Sequence, residues 1–172
     1  MPDPSRGFPP IAAPDARVLI LGSLPGQASL AAGQYYAQPH NAFWRIMGEL
    51  VGAGLDLPYD QRIERLRESG IALWDVCHAA VRPGSLDSAI DLASVVTNDF
   101  ALFFRQHPGI GHVCTNGGTS HRLYLRRVRP LLPEPWSALP VHLLPSTSPA
   151  HASLRLAQKL ERWRVLDELR AP

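Results

Sequence analysis

The run Val18-Leu19-Ile20-Leu21, closed by Gly22, has no polar residue to turn toward water, so it predicts a strand buried on both faces. Such a strand needs helices above and below it, and the rest of the chain supplies them. Asn41 stands as a helix N-cap before Phe43, Met47, Leu50 and Val51, whose spacing of three and four marks one helical face. A charged helix over Tyr59 to Ser69, closed by Gly70, leads into a second strand, Ile71 to Val76. Asn98 to Gln106 predicts another helix, Gly111 to Thr115 a third strand and His121 to Val128 a basic helix. A proline-broken connection, Pro130 to Pro140, then precedes a short fourth strand, Val141 to Leu144. The last helix, Ser153 to Leu169, sets Leu156, Leu160, Trp163, Leu166 and Leu169 on one face. Strands alternating with helices predict the α/β class: a three-layer α/β/α sandwich around a mainly parallel four-stranded sheet.

The 172 residues suffice for one domain over 1–172, in which residues 1–15, with Pro2, Pro4, Pro9, Pro10 and Pro14, form an extended N-terminal arm. A net charge of +2 does not announce a nucleic-acid binder. Since 16 of the 17 basic residues are arginine, suited to bidentate phosphate contacts, any DNA surface is expected to be local. Cys77 and Cys114 each adjoin an apolar run, which predicts buried thiols in a reducing compartment rather than a disulfide framework. The first residues lack a basic start and an apolar stretch, and no run approaches the roughly 18 apolar residues of a membrane span. The expectation is a soluble, cytoplasmic monomer without membrane contact.

In a parallel sheet, ligands bind beyond the carboxyl ends of the strands. Four segments follow the predicted strand ends: Gly22 to Gly26, Asp75 to His78, Thr115 to Gly118, and Pro145 to Pro149. Folding would gather them at one edge, where Gly, Pro, Ser and Thr let backbone amides approach a ligand closely, although each segment alone also has an ordinary turn composition.

The stretch Leu19-Ile20-Leu21-Gly22-Ser23-Leu24-Pro25-Gly26, followed by Tyr35-Tyr36-Ala37-Gln38-Pro39-His40-Asn41-Ala42-Phe43-Trp44, resembles the first motif of the hypoxanthine-DNA glycosylases in the uracil-DNA glycosylase superfamily. The resemblance continues in order through Trp74-Asp75-Val76, Gly84 to Ile90, Asn98-Asp99-Phe100 and Thr115-Asn116-Gly117, and closes on Leu144 to Ala150. It spans about residues 17 to 153. It implies a uracil-DNA glycosylase-like fold, damaged DNA as partner, and excision of a deaminated base after flipping it out of the helix, without metal or cofactor.

The resemblance also implies a site. Most of the superfamily places Asp or Asn in the middle of the loop after the first strand; here that position is Leu24, which neither accepts a proton nor holds water. Asn41 is the group offered in compensation, to orient water or bond the departing purine; its alternative role is the helix cap alone. Tyr36 matches the aromatic floor under the flipped base, or is simply a core aromatic. Asp75 matches a base-reading position, where a carboxylate accepts from purine N–H groups, or caps a turn. Ser23, Leu24 and Asn116 complete the implied base-binding set, with Asn41 and Asp75 the implied catalytic pair. Pro145, Ser146, Thr147 and Ser148 match a DNA-wedge loop that enters the minor groove and grips phosphate. The His or Asn that often begins this loop in relatives is replaced by Leu144. His151 either contacts phosphate or the leaving group, or is merely solvated. Arg122, Arg126, Arg127 and Arg129 could serve the phosphate backbone or form a solvated helix face, since helical spacing does not align all four.

Three other readings compete. A Ser23-His78-Asp75 hydrolase lacks the Gly-x-Ser-x-Gly elbow. A metal site from Cys77, His78, His112 and Cys114 is disfavoured because adjacent strand residues point to opposite faces. A non-catalytic DNA-binding module would follow from the loss at Leu24, and Asn41 discriminates it from an enzyme. The only lysine is Lys159, on the amphipathic C-terminal helix, so a monofunctional glycosylase without lyase chemistry is expected. Hypoxanthine is the expected base, with uracil and xanthine presenting partly similar edges.

Overall fold

All five residues of Val18–Gly22 are buried, and the strand they form lies in the middle of the sheet with a parallel neighbour on each side. In the computed structural model, which describes residues 2–172, the chain runs through β1 (Ser5–Arg6), β2 (Val18–Gly22), α1 (Gln27–Ala32), α2 (Phe43–Val51), α3 (Tyr59–Glu68), β3 (Ile71–Asp75), β4 (Cys77–Ala80) and β5 (Val96–Thr97). It continues through α4 (Phe100–Gln106), β6 (His112–Asn116), α5 (Gly118–Leu123), β7 (Val141–Leu144), α6 (Leu156–Trp163) and α7 (Val165–Leu169). The main sheet has the order β3-β2-β6-β7 and is parallel throughout. A small antiparallel sheet, β1-β4-β5, stands beside it.

The strand period of two divides the apolar residues between two cores. Leu19, Leu21, Ala72, Trp74 and Val113 face the layer made by Phe100, Phe103 and Phe104 of α4 and by Leu123, Tyr124 and Val128. Val18, Ile20, Ile71, Leu73 and Cys114 face Phe43, Trp44, Ile46 and Met47 of α2, Leu66 of α3, and Trp163 and Leu166. Helices therefore cover both faces, as a sheet buried on both sides requires.

Several elements differ from expectation. The proline-rich arm is fastened: Ile11 exchanges backbone hydrogen bonds with Leu73 at 2.9 and 2.8 Å, and Ser5 pairs with Ala80. Proline spacing reports on local conformation and not on docking, which here is driven by burial of Ile11. The helix after Asn41 begins at Phe43, with Asn41 one place before the terminal residue Ala42, yet Asn41 Oδ1 still accepts from the Phe43 amide at 2.9 Å. The basic helix starts early at Gly118 and passes into a π-helical turn, Tyr124–Val128. The C-terminal helix starts only at Leu156, where Gln158 Oε1 accepts from the Arg155 amide at 2.8 Å, and it breaks at Arg164. Its inward face is Lys159, Trp163 and Leu166, whereas Leu156 is 45% exposed. Both cysteines are free and buried, and burial pushes their thiols up to about 12. Among the described residues no helix is long and apolar enough to cross a membrane.

Candidate active site

The chain leaves β2 toward β3 on one side and later returns to β6 on the other, so the carboxyl ends of β2, β3 and β6 frame a topological switch point. In register, Gly22 lies opposite Asp75, and both open into a cavity of about 530 Å³. Ser23, Leu24, Tyr36, Asn41, Asp75 and Asn116 all line it, with Ser146 to His151 along one rim. Pro145 does not line it; its carbonyl accepts from Trp163 Nε1 at 2.9 Å, which anchors the loop to α6.

Asp75 is the most unusual group in the cavity. It is 4% exposed, and its Oδ2 has no hydrogen-bond partner among the described residues. Burial, reinforced by the charge of Asp87 and opposed by Arg82, pushes its carboxyl up to about 7. The Asn98 side chain donates to the Asp75 carbonyl at 2.7 Å and so fixes the backbone while leaving the carboxyl free. Only glycine fits beneath it: a Cβ on Gly22 would lie 2.8 Å from the Tyr36 hydroxyl and closer still to the Asp75 carboxylate. Gly22→Ala is therefore expected to destabilise by about 1–3 kcal/mol through overpacking. Denaturant unfolding measures it, and an unchanged midpoint would mean that Asp75 and Tyr36 move aside freely.

Tyr36 is the single non-glycine residue at positive φ among those described, at 53°, a conformation that costs energy unless its surroundings hold it. They do. Its ring stacks on Phe43 with centroids 4.2 Å apart and 27° between planes, and its hydroxyl accepts from Asn116 Nδ2 at 3.1 Å. Burial and the nearby Asp75 raise the hydroxyl pKa above its ordinary value. Asn116 Nδ2 also donates to Thr147 Oγ1 at 3.0 Å, while Asn116 Oδ1 accepts from the Thr147 amide at 2.9 Å. The Asn116 side chain is thus spent on joining the Tyr36 loop to the 145–151 loop. Thr147 is 1% exposed and turned inward, and its carbonyl accepts from the Ala42 amide at 2.9 Å. Gly117, at φ 94°, lets the chain turn against Ser146, where a Cβ would come within 2.9 Å of the serine Cβ. His151 borders the cavity, with its Nε2 3.3 Å from the Ser153 hydroxyl.

Two functional-looking residues escaped the sequence reading. Arg82 is 5% exposed; its guanidinium donates to the carbonyls of Leu24 at 3.2 Å, Gly84 at 3.1 Å and Pro25, and lies 3.9 Å from Asp87. Asp87, inside the Gly84 to Ile90 stretch, accepts from the Ser23 hydroxyl at 2.6 Å. An arginine sewing up three carbonyls has no sequence signature, because its partners come from separate loops. The Ser23 bond also bears on the hydrolase reading: the hydroxyl is committed to Asp87, and His78 is exposed. No group of three or more metal-ligating side chains gathers among the described residues. Lys159 is 5% exposed and donates to the Ser148 carbonyl at 3.3 Å from beneath the rim loop; it does not line the cavity. Desolvation lowers its pKa.

The family model described as "Uracil DNA glycosylase superfamily" matches residues 9–170. The chain belongs to the uracil-DNA glycosylase superfamily. It is accordingly a DNA glycosylase of base-excision repair. Among its relatives, a protein of Methanosarcina acetivorans named hypoxanthine DNA glycosylase is 40% identical over 113 residues, covering 65% of this chain and 70% of that one. A protein of Methanosarcina barkeri with the same name is 39% identical over 116 residues, covering 67% and 72%. A solution NMR structure from Methanosarcina acetivorans, described as a candidate uracil DNA glycosylase, is similar with a TM-score of 0.75 at 34% identity, covering 96% of this chain and 99% of that one. The match to this superfamily agrees with the sheet order and with the placing of the cavity at the strand ends.

Proposed function

We propose that this glycosylase hydrolyses the N-glycosidic bond of deoxyinosine in DNA, releasing hypoxanthine and leaving an abasic site. The observation that carries the reading is the buried Asp75 carboxyl with an unpartnered oxygen inside the cavity. A flipped hypoxanthine presents an N1–H, and an ionised carboxylate there accepts it. Supplying that bond offsets the few kcal/mol lost when the nucleotide leaves the stack. The Tyr36 ring, backed by Phe43, offers a flat surface for the purine, where stacking contributes roughly 1–3 kcal/mol per base. Two relatives named hypoxanthine DNA glycosylase support the choice of base.

In the reaction, water oxygen bonds to C1′ as the C1′–N9 bond breaks. The bonding pair leaves on the purine, which ends with the proton that water gives up. Asn41 borders the cavity with its Oδ1 held by the Phe43 amide, so its amide nitrogen remains to orient water or to bond the departing purine. Ser146, Ser148 and His151 on the rim would meet phosphate, while Thr147 holds the loop in shape.

The chemistry is monofunctional. A lyase step needs an amine at C1′, and the ammonium of Lys159 is committed to the Ser148 carbonyl outside the cavity lining. Borohydride treatment of the enzyme with deoxyinosine DNA is expected to trap no covalent adduct; any adduct would reverse this assignment, and its loss in Lys159→Ala would identify the amine. The substrate is tested by base release from oligonucleotides bearing deoxyinosine, deoxyuridine or deoxyxanthosine, single- and double-stranded. Hypoxanthine release should dominate. Release of uracil alone would overturn the choice of base, and DNA binding without release of any base would favour a non-catalytic relative.

A further inference from the structure

We propose that a groove adjoining the base cavity, walled by Arg122, Arg126 and Arg127, holds the phosphodiester backbone of the strand that carries the flipped nucleotide. The inference rests on the DNA-glycosylase reading and extends it to a second contact surface. The groove, about 260 Å³, is continuous with the base cavity: Asp87, Ser88, Thr119 and Arg122 belong to both.

The arginines meet there because of a backbone irregularity. In a regular α-helix, Arg122, Arg126 and Arg129 would share a face and Arg127 would point away. The turn Tyr124–Val128 is π-helical, closed by i→i+5 bonds, so each turn takes up more residues. The wider turn swings Arg127 toward Arg122 and Arg126 and carries Arg129 off, and the groove is lined by the first three and not by Arg129. Burial of Leu123, Tyr124 and Val128 against the α4 phenylalanines holds this geometry in place.

The charges are available. None of the three guanidinium groups has an ion-pair partner among the described residues. Arg122 reaches only Thr119 Oγ1, at 3.4 Å, Arg127 donates one bond to the Leu92 carbonyl at 2.9 Å, and all three residues are exposed. The one carboxylate in the groove, Asp87, already accepts from Ser23 and faces Arg82. Three planar donors around a groove continuous with the base pocket suit the phosphate oxygens of the strand that enters it.

The test is equilibrium binding of a duplex with a single deoxyinosine, by fluorescence anisotropy over a range of salt. Arg126→Ala and Arg127→Ala are each expected to weaken binding severalfold and to reduce the slope of log K against log salt by about 1. Arg122→Ala with Arg126→Ala should reduce it by about 2. Arg65→Ala, on the exposed side of α3, removes the same charge and should leave the slope unchanged. Replacing the phosphates flanking deoxyinosine by methylphosphonates should weaken Arg126→Ala less than it weakens the wild type. Wild-type affinity and slope in the groove variants, or full additivity with the methylphosphonates, would overturn the groove. Failure of the wild type to bind or to release any base would instead overturn the glycosylase reading beneath it.

Discussion

Asn41→Asp is expected to slow hypoxanthine release from a deoxyinosine duplex by about 10²–10³-fold, the usual cost of deleting one positioned donor, while the protein keeps its stability. The two atoms of the Asn41 amide are not equally free. Its Oδ1 accepts from the Phe43 amide at 2.9 Å and so satisfies one of the open donors at the start of α2. An aspartate keeps that acceptor, loses the amide N–H and adds a negative charge to a cavity that already holds Asp75 and Asp87. Asn41→Ala removes both, so it should lose activity to a similar degree and also about 1 kcal/mol of stability. Asn41→Ser, which keeps a neutral acceptor, should follow Asn41→Asp. Single-turnover base release and urea unfolding on the same preparations separate the two effects. Wild-type release by Asn41→Asp would reduce Asn41 to a helix cap and leave Leu24 without replacement.

The second large effect belongs to Asp75. A carboxyl raised to about 7 in the folded protein ionises at lower pH in the unfolded chain, near 4. The unfolded state therefore gives up its proton first. Stability from this group is fully present below about pH 4, is lost as pH rises to about 7, and is flat beyond. Asp75→Asn carries no such dependence, so its stability relative to wild type should climb between pH 4 and pH 7, with a ceiling of about 4 kcal/mol. Denaturant midpoints across that range measure the gap, and a gap independent of pH would show that the carboxyl is not desolvated. Activity moves the other way. Because the ionised form accepts the purine N1–H, base release should rise through about pH 7 in the wild type and be low and flat in Asp75→Asn. A variant more stable above neutrality yet slower by about 10²-fold is the pattern expected of a group strained for function.

Much of this was legible before folding. The apolar runs at Val18 to Leu21 and Ile71 to Trp74 located the first two strands of the main sheet within a residue, because burial on both faces leaves no room for polar alternation. The elements missed were β1, β4, β5 and α1. Cys77-His78-Ala79-Ala80 carries little strand propensity and is extended because β1 and β5 pair with it on either side. Tyr36 and Asp75 were read singly, as floor and reader. Their common dependence on Gly22 became visible only with β2 and β3 in register.

Sequence alone determined the strand and helix alternation, the segments that end at the carboxyl edge, the identity of the groups available there, and Lys159 as the only lysine. It could do so because burial periodicity and residue chemistry are local properties. Tertiary structure decided which of those groups are free and which are spent. Asn116 and Thr147 are consumed by each other and by Tyr36, whereas Asp75 keeps an open oxygen. It also decided that Arg82 binds two loops together and that a π-helical turn gathers three arginines at one groove. Those outcomes depend on contacts between segments tens of residues apart, and on backbone geometry that packing selects over local preference.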